Sequence, residues 1–381
     1  MICEVHFNIT SMIPGLDGLR AIAYLSVFFF HAQYFDIGWI GVQFFFVLSG
    51  FLITNILLDM KKSLPVRGFF IKFYGRRFLR IFPLYYFYLL LLGGLTAWLI
   101  SIPYRPGYMQ VFGEQVKYAI FYIYIFFFVT VFHKSAFFFE HLWSLSVEEQ
   151  FYIFWPLLIF FTPERFQKKL FLAFIALGPV FRIVFYFIHA SGEFRIFQSP
   201  VSLALYPFPF THVDAFAFGA YISRYSIPKA KEQFFVLLGL IPLVGFATQK
   251  LATGQIGNFS VFGYPLLMSD GYQFIWGYTV LNYFFAVTIL AVVKHGIFNK
   301  FLESSPMRHL GKLSYGLYVF HQPILGFAQD IDRLGVKMSM VKPMAAIIAF
   351  PVTLLIANIS YRFIEKPFLN LKDRFFPVDK T

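Results

Sequence analysis

Apolar runs recur along almost the whole chain, near residues 14–34, 38–60, 81–101, 142–162, 170–190, 202–224, 232–250, 272–293, 312–329 and 341–363. Each approaches the roughly 20 residues that a helix needs to cross a hydrocarbon core. The pattern predicts an all-α, polytopic integral membrane bundle of about ten transmembrane helices. Residues 118–132 are apolar but too short for a full span, and a span there would move Arg165, Lys168 and Lys169 to the outer side. The segment is therefore expected to be re-entrant or partly spanning.

Polar positions inside these runs stand out. Arg20 and His31 share the first run, and eleven residues of helix bring them within about 20° on one face and about 16 Å apart along the axis. Ionisable groups at bilayer depth are costly and usually face a cavity, so two of them aligned on one segment point to a functional pathway.

Composition agrees with a lipid environment: 59% of the 381 residues are hydrophobic, 13% are charged and 57 are Phe. Spans fill the chain so closely that a single membrane domain over residues 1–381 is expected, without a soluble carboxy-terminal domain. Residues 1–13 lack the basic start and small-residue cleavage site of a removed signal peptide. The net charge of +13 could indicate nucleic acid. Its distribution gives a simpler origin, because most Lys and Arg fall in alternate connections, as the positive-inside bias requires. No nucleic-acid partner is implied. Both termini come out cytoplasmic, in a multi-pass protein of a cell membrane.

The single cysteine, Cys3, precedes the first run, so neither a disulfide framework nor a Cys-based metal site is available. Histidines never occur at metal-ligand spacing, and no metal is implied.

Several strings carry more specific information. They are Pro14-Gly-Leu-Asp-Gly-Leu-Arg20 with His31, Phe44-Phe-Phe-Val-Leu-Ser-Gly-Phe-Leu-Ile53 and Arg76-Arg-Phe-Leu-Arg-Ile-Phe-Pro-Leu-Tyr85. Further along come His141-Leu-Trp-Ser-Leu-Ser-Val-Glu-Glu-Gln-Phe-Tyr152, Leu310-Gly-Lys-Leu-Ser-Tyr-Gly-Leu-Tyr-Val-Phe-His-Gln-Pro323 and Ser360-Tyr-Arg-Phe-Ile-Glu-Lys-Pro-Phe368. In this order the chain resembles the membrane acyltransferase-3 family, the bacterial integral-membrane O-acyltransferases, over residues 14–368. The resemblance implies an enzyme that takes an acyl group, most often acetyl, from acyl-coenzyme A on the cytoplasmic side. It passes that group to a hydroxyl of a sugar in a surface glycan, glycolipid or secreted molecule. Many relatives carry an extra esterase-like domain, so the membrane unit is expected to suffice here or to work with a separate soluble partner.

Thioester acyl transfer needs a base for the hydroxyl and an anchor for the nucleotide end of the donor. His31 suits the base, since imidazole titrates near neutral pH. Glu148, in the outer part of its span like His31, is placed to orient that imidazole; Glu149 points to another face and is the less favoured of the pair. Arg77 and Arg80, at i and i+3, with Arg20, are candidates for the phosphates of coenzyme A, because guanidinium binds phosphate in bidentate fashion. Topology alone also explains the basic run over residues 61–80, and Arg20 can instead pair with Asp17.

Trp143 and Ser146 share the Glu148 motif and are candidates for the acceptor side. His321 is open between structural hydrogen bonding and catalysis. Asp214 matches a family position often preceded by a basic residue, where this chain has His212, and Arg182 is a possible partner. Glu365 with Arg362 and Lys366 reads as an interfacial clamp at the end of the last helix. A transporter or flippase for an acylated or lipid-linked sugar is the alternative, since polar residues in a bundle also line translocation paths.

Overall fold

The computed structural model describes residues 13–102, 106–124, 138, 140–192, 201–329 and 338–377. Helices dominate the described residues, with no strand among them, and the protein is an all-α multi-pass membrane protein. In chain order the helices are α1 (Leu16–His31), α2 (Ile40–Ser63), α3 (Val66–Ser101), α4 (Pro106–Ile120), α5 (Trp143–Phe161), α6 (Glu164–Ser191) and α7 (Val201–Leu205). There follow α8 (Val213–Arg224), α9 (Ala230–Thr253), α10 (Gln273–His295), α11 (Asn299–Leu302), α12 (Ser305–Gln329), α13 (Met338–Ser360) and α14 (Lys366–Phe375).

Among the described residues six stretches are long and apolar enough to cross a membrane: Asp36–Ser63, Val66–Ser101, Glu164–Ser191, Ala230–Thr253, Asp270–His295 and Met340–Phe375. The other predicted spans differ for physical reasons. α1 has 16 residues. The predicted span 202–224 is broken, because Pro207 and Pro209 cannot continue α7, and a 3₁₀ turn at Pro209–His212 leads into α8. Of the expected re-entrant segment, residues 118–124 are described and 125–132 lie outside the described residues.

The chain forms two compact units. The first contains the described residues of Met1–Phe30, Tyr34–Ser63 and Phe151–Lys312. Its centre is α2 against α8, where glycines let the backbones meet. A Cβ on Gly50 would strike the Phe216 carbonyl, and one on Gly219 would strike the Val47 carbonyl. Small residues at such crossings supply the close packing that drives association in lipid. The broken α7–α8 segment is satisfied internally. Thr211 Oγ1 donates to the carbonyls of Leu205 and Phe208, and His212 Nε2 donates to Tyr206. Irregular backbone survives at membrane depth only with such partners.

The second unit contains the described residues of His31–Gln33, Leu64–Gln150 and Leu313–Thr381. Its spine is α3, about 54 Å long at 1.5 Å per residue, with Pro83 tolerated inside it. α4 and α14 pack on α3. Tyr85 Oη donates to the Ala119 carbonyl at 2.8 Å, and the Tyr122 ring stacks on Tyr85 at 4.2 Å.

Candidate active site

Three imidazoles meet in the second unit, those of His141 and His321 buried and that of His31 half-buried. The His321 ring centroid lies 5.2 Å from those of both His31 and His141. His31 ends α1, His141 precedes α5, and His321 sits in α12. Backbone carbonyls fix the ring tautomers. His321 Nδ1 donates to the Tyr318 carbonyl at 2.6 Å, which leaves Nε2 as the acceptor of the neutral ring. His141 Nε2 donates to the Val319 carbonyl at 3.0 Å, and its Nδ1 has no hydrogen-bond partner among the described residues.

A second set of contacts braces these rings. Tyr318 Oη donates to the His141 carbonyl at 2.8 Å and bonds Ser144 Oγ. Tyr88, from α3, lies edge-on to His141 at 6.1 Å and to Phe320 at 5.6 Å. Glu148 acts electrostatically on Tyr318. Ser146 is buried and donates to the Leu142 carbonyl, one helical turn back, and Trp143 is also buried.

Lower along the same helices the polar groups continue. Tyr315 of α12 donates to the Ile81 carbonyl of α3 at 2.8 Å, and Glu149, Glu365, Tyr85 and Arg80 all act on its hydroxyl. From Arg80 to Tyr88 along α3 is about 12 Å, and from Tyr315 to His321 along α12 about 9 Å. One unit thus holds these tyrosines and carboxylates together with Arg77, Arg80 and the imidazoles.

The remaining sequence candidates fall in the first unit. Arg20 Nη1 pairs with Asp17 Oδ1 at 2.7 Å, the local alternative considered for it. Asp214 is fully buried and pairs with Arg182 at 2.5 Å, while Thr279 Oγ1 donates to its other oxygen at 2.6 Å. Arg182 also donates to the carbonyls of Thr211 and Ile275. Gly178 makes room, since a Cβ there would strike the Asp214 carboxylate. His212, the residue two before Asp214, is engaged instead by Gln43 at 2.7 Å.

Three residues gain weight that the sequence did not give them. His141 opens the same motif as Glu148, so its position was readable even though its role was not. Glu149 is buried with Oε1 lacking a partner among the described residues. Glu365 is 3% exposed, which replaces the interfacial clamp expected with Arg362 and Lys366. A π-helical turn at Tyr361–Glu365 shifts the register and carries the carboxylate inward. Among the described residues no group of His, Cys, Asp and Glu could hold a metal ion.

The chain belongs to the acyltransferase-domain family Acyl_transf_3, which matches residues 13–362. It is 31% identical over 371 residues to the O-acetyltransferase OatA of Staphylococcus aureus, covering 93% of this chain and 57% of that protein. To the peptidoglycan O-acetyltransferase OatA of Listeria monocytogenes it is 29% identical over 376 residues, covering 93% and 55%. To the putative peptidoglycan O-acetyltransferase YrhL of Bacillus subtilis it is 28% identical, covering 93% and 54%. The chain thus spans little more than half the length of these relatives. No solved structure matches it.

Proposed function

We propose that the protein is a membrane O-acetyltransferase that moves an acetyl group from acetyl-coenzyme A, entering from the cytoplasm, to a hydroxyl of a cell-wall carbohydrate. The observation that carries this reading is the cluster of His31, His321 and His141 in the unit that also holds Arg77 and Arg80. Family membership supports the acyl chemistry, and the names of the Listeria and Bacillus relatives favour peptidoglycan as the acceptor.

In this reading Arg77 and Arg80 grip the donor phosphates, and the pantetheine arm extends towards the imidazoles. His31 takes the acceptor proton as the hydroxyl oxygen attacks the thioester carbon. The carbon–sulfur bond then breaks, and the proton passes from His31 to the departing thiolate. Glu148 and His321 hold the base in orientation, and Trp143 and Ser146 shape the acceptor side. Arg20, on the helix that ends in His31, is a further donor-binding cation that exchanges Asp17 for phosphate. Asp214 serves structure through Arg182. Both termini are cytoplasmic, the membrane is the bacterial inner membrane, and a separate soluble partner completes delivery where the membrane unit alone does not suffice.

The test is release of coenzyme A by the purified full chain in liposomes supplied with acetyl-coenzyme A and peptidoglycan fragments. Acceptor-dependent release that His31→Ala abolishes is the expected result. Acetyl transfer undiminished in His31→Ala overturns the assignment, and no release with any glycan favours a transporter.

A further inference from the structure

The first unit holds a cavity of about 410 Å³ between α1, α2, α9, α10 and α11. Leu238, Phe298 and Phe301 line it and are exposed, so it opens onto the surface of the unit. Its walls run from Leu19 to Ser26 on α1 and from Phe284 to Val292 on α10, about 12 Å of helix axis. That depth is most of one leaflet, since the hydrocarbon core is about 30 Å thick.

The slot presents hydrocarbon. Among the described residues on its walls, Ser26 and Thr288 carry the polar side chains, and both hydroxyls turn back onto their own helices, to the carbonyls of Ile22 at 2.9 Å and Phe284 at 2.8 Å. A sugar or a phosphate entering it would lose hydrogen bonds to water without replacement, whereas an alkyl chain has none to lose.

One end of the slot is basic. Phe234 of α9 stacks on Phe284 at 5.8 Å and meets Phe298 edge-on at 6.1 Å, which brings the start of α9 beside α11. Lys229 immediately precedes α9, Lys231 lies one turn before Phe234, and Lys300 stands between the lining residues Phe298 and Phe301; all three are exposed. The nearby acids are Glu232 and Glu303, and Glu303 is engaged by the Gly15 amide and by Arg308. Lysines at the end of an apolar surface reach for headgroups and attract anionic ones.

We propose that the slot is a binding site for one acyl chain of an anionic phospholipid, with the chain between α1 and α10 and the phosphate at Lys231 and Lys300. Walls from five helices set it apart from the lipid that touches a single outer helix face. A chain seated there braces α1 against α10.

The test is native mass spectrometry of the full chain in a neutral detergent, titrated with dioleoylphosphatidylglycerol or with dioleoylphosphatidylcholine. Wild-type protein should hold one molecule of the first about tenfold more tightly than one of the second. Lys231→Gln with Lys300→Gln should bring the two lipids to equal affinity. Thr288→Phe, which fills the slot, should remove the tight site for phosphatidylglycerol, and Thr288→Ser should keep it. The two lipids are compared within one protein, so a partly unfolded sample does not imitate the lysine effect. Equal wild-type binding of both lipids overturns the headgroup assignment, and unchanged phosphatidylglycerol binding by Thr288→Phe overturns the slot. A dimer that Thr288→Phe dissolves would seat a second copy of the chain there and overturns the proposal as well.

Discussion

His31 and His321, from opposite ends of the sequence, lie with their ring centroids 5.2 Å apart and their planes tilted by 53°. Neither element specifies that pair alone. α1 ends at His31, and α12 presents His321 with Nδ1 committed to the Tyr318 carbonyl. The arrangement supplies His31 with a neighbour fixed by the backbone. Replacing His321 with Gln should therefore lower kcat by about tenfold to a hundredfold while leaving coenzyme A binding intact, whereas His31→Ala should cost about 10² to 10⁴ in kcat. Single-turnover acetyl transfer beside equilibrium binding of coenzyme A separates the two effects. Equal loss of binding and turnover in His321→Gln would point to a collapsed site.

Arg77 and Arg80 should show the opposite signature. Charge-assisted hydrogen bonds are worth about 1.5–3 kcal/mol each, so Arg77→Gln should weaken coenzyme A binding by roughly tenfold to a hundredfold with little change in kcat at saturating donor. Raising the salt concentration should weaken wild-type binding and leave the variant less responsive. The check is KM against kcat for the donor, measured at two ionic strengths.

Much of this was legible in the sequence, and the gaps have physical causes. Apolar length alone marks the spans that end up meeting the requirements of a membrane helix, such as Val66–Ser101 and Asp270–His295. The predicted spans that miss those requirements include the ones holding His31, Glu148, Asp214 and His321. The helix that ends in His31 is too short and the run that holds Asp214 is broken at Pro207 and Pro209, while polar residues lower the hydropathy of the runs that hold Glu148 and His321. The partner of Asp214 was readable as Arg182, because two opposite charges in apolar runs must find each other. The inward turn of Glu365 was not readable. A π-helical turn adds a residue to the local repeat, and a face assigned at 3.6 residues per turn then comes out wrong.

The Arg182 and Asp214 pair gives a prediction about stability. Both side chains are fully buried, and Arg182 also serves the Thr211 and Ile275 carbonyls freed around the broken α7–α8 segment. Removing one partner strands the other charge, so Arg182→Met should destabilise by about 3–5 kcal/mol. The double variant Arg182→Met with Asp214→Leu should recover part of that loss, because no buried charge then remains. Thermal unfolding in a single detergent, followed by intrinsic tryptophan fluorescence, provides the comparison. A double variant no more stable than Arg182→Met would mean that the hydrogen bonds to the carbonyls, and not the ion pair, carry the stabilisation.

Gly50 and Gly219 make a final and stricter demand on α2 and α8. Each glycine faces backbone of the other helix, Gly50 against the Phe216 carbonyl and Gly219 against the Val47 carbonyl and the Phe51 amide. Backbone cannot rotate aside as a side chain can, so an added methyl must push the helices apart. The tilted Phe46 and Phe216 rings, 4.9 Å apart, and the Phe151 ring stacked on Phe216 at 4.1 Å, would lose contact together. Overpacking of this kind costs about 1–3 kcal/mol per site, and Gly50→Ala and Gly219→Ala should each lower the unfolding midpoint. Because both methyls force the same separation, the double variant should lose less than the sum of the two singles. Gly239→Ala, where nothing lies within contact distance of the added methyl, should leave the midpoint unchanged or slightly raised. Melting midpoints of the four variants decide the matter, and strict additivity between Gly50 and Gly219 would show that the two glycines relieve separate contacts.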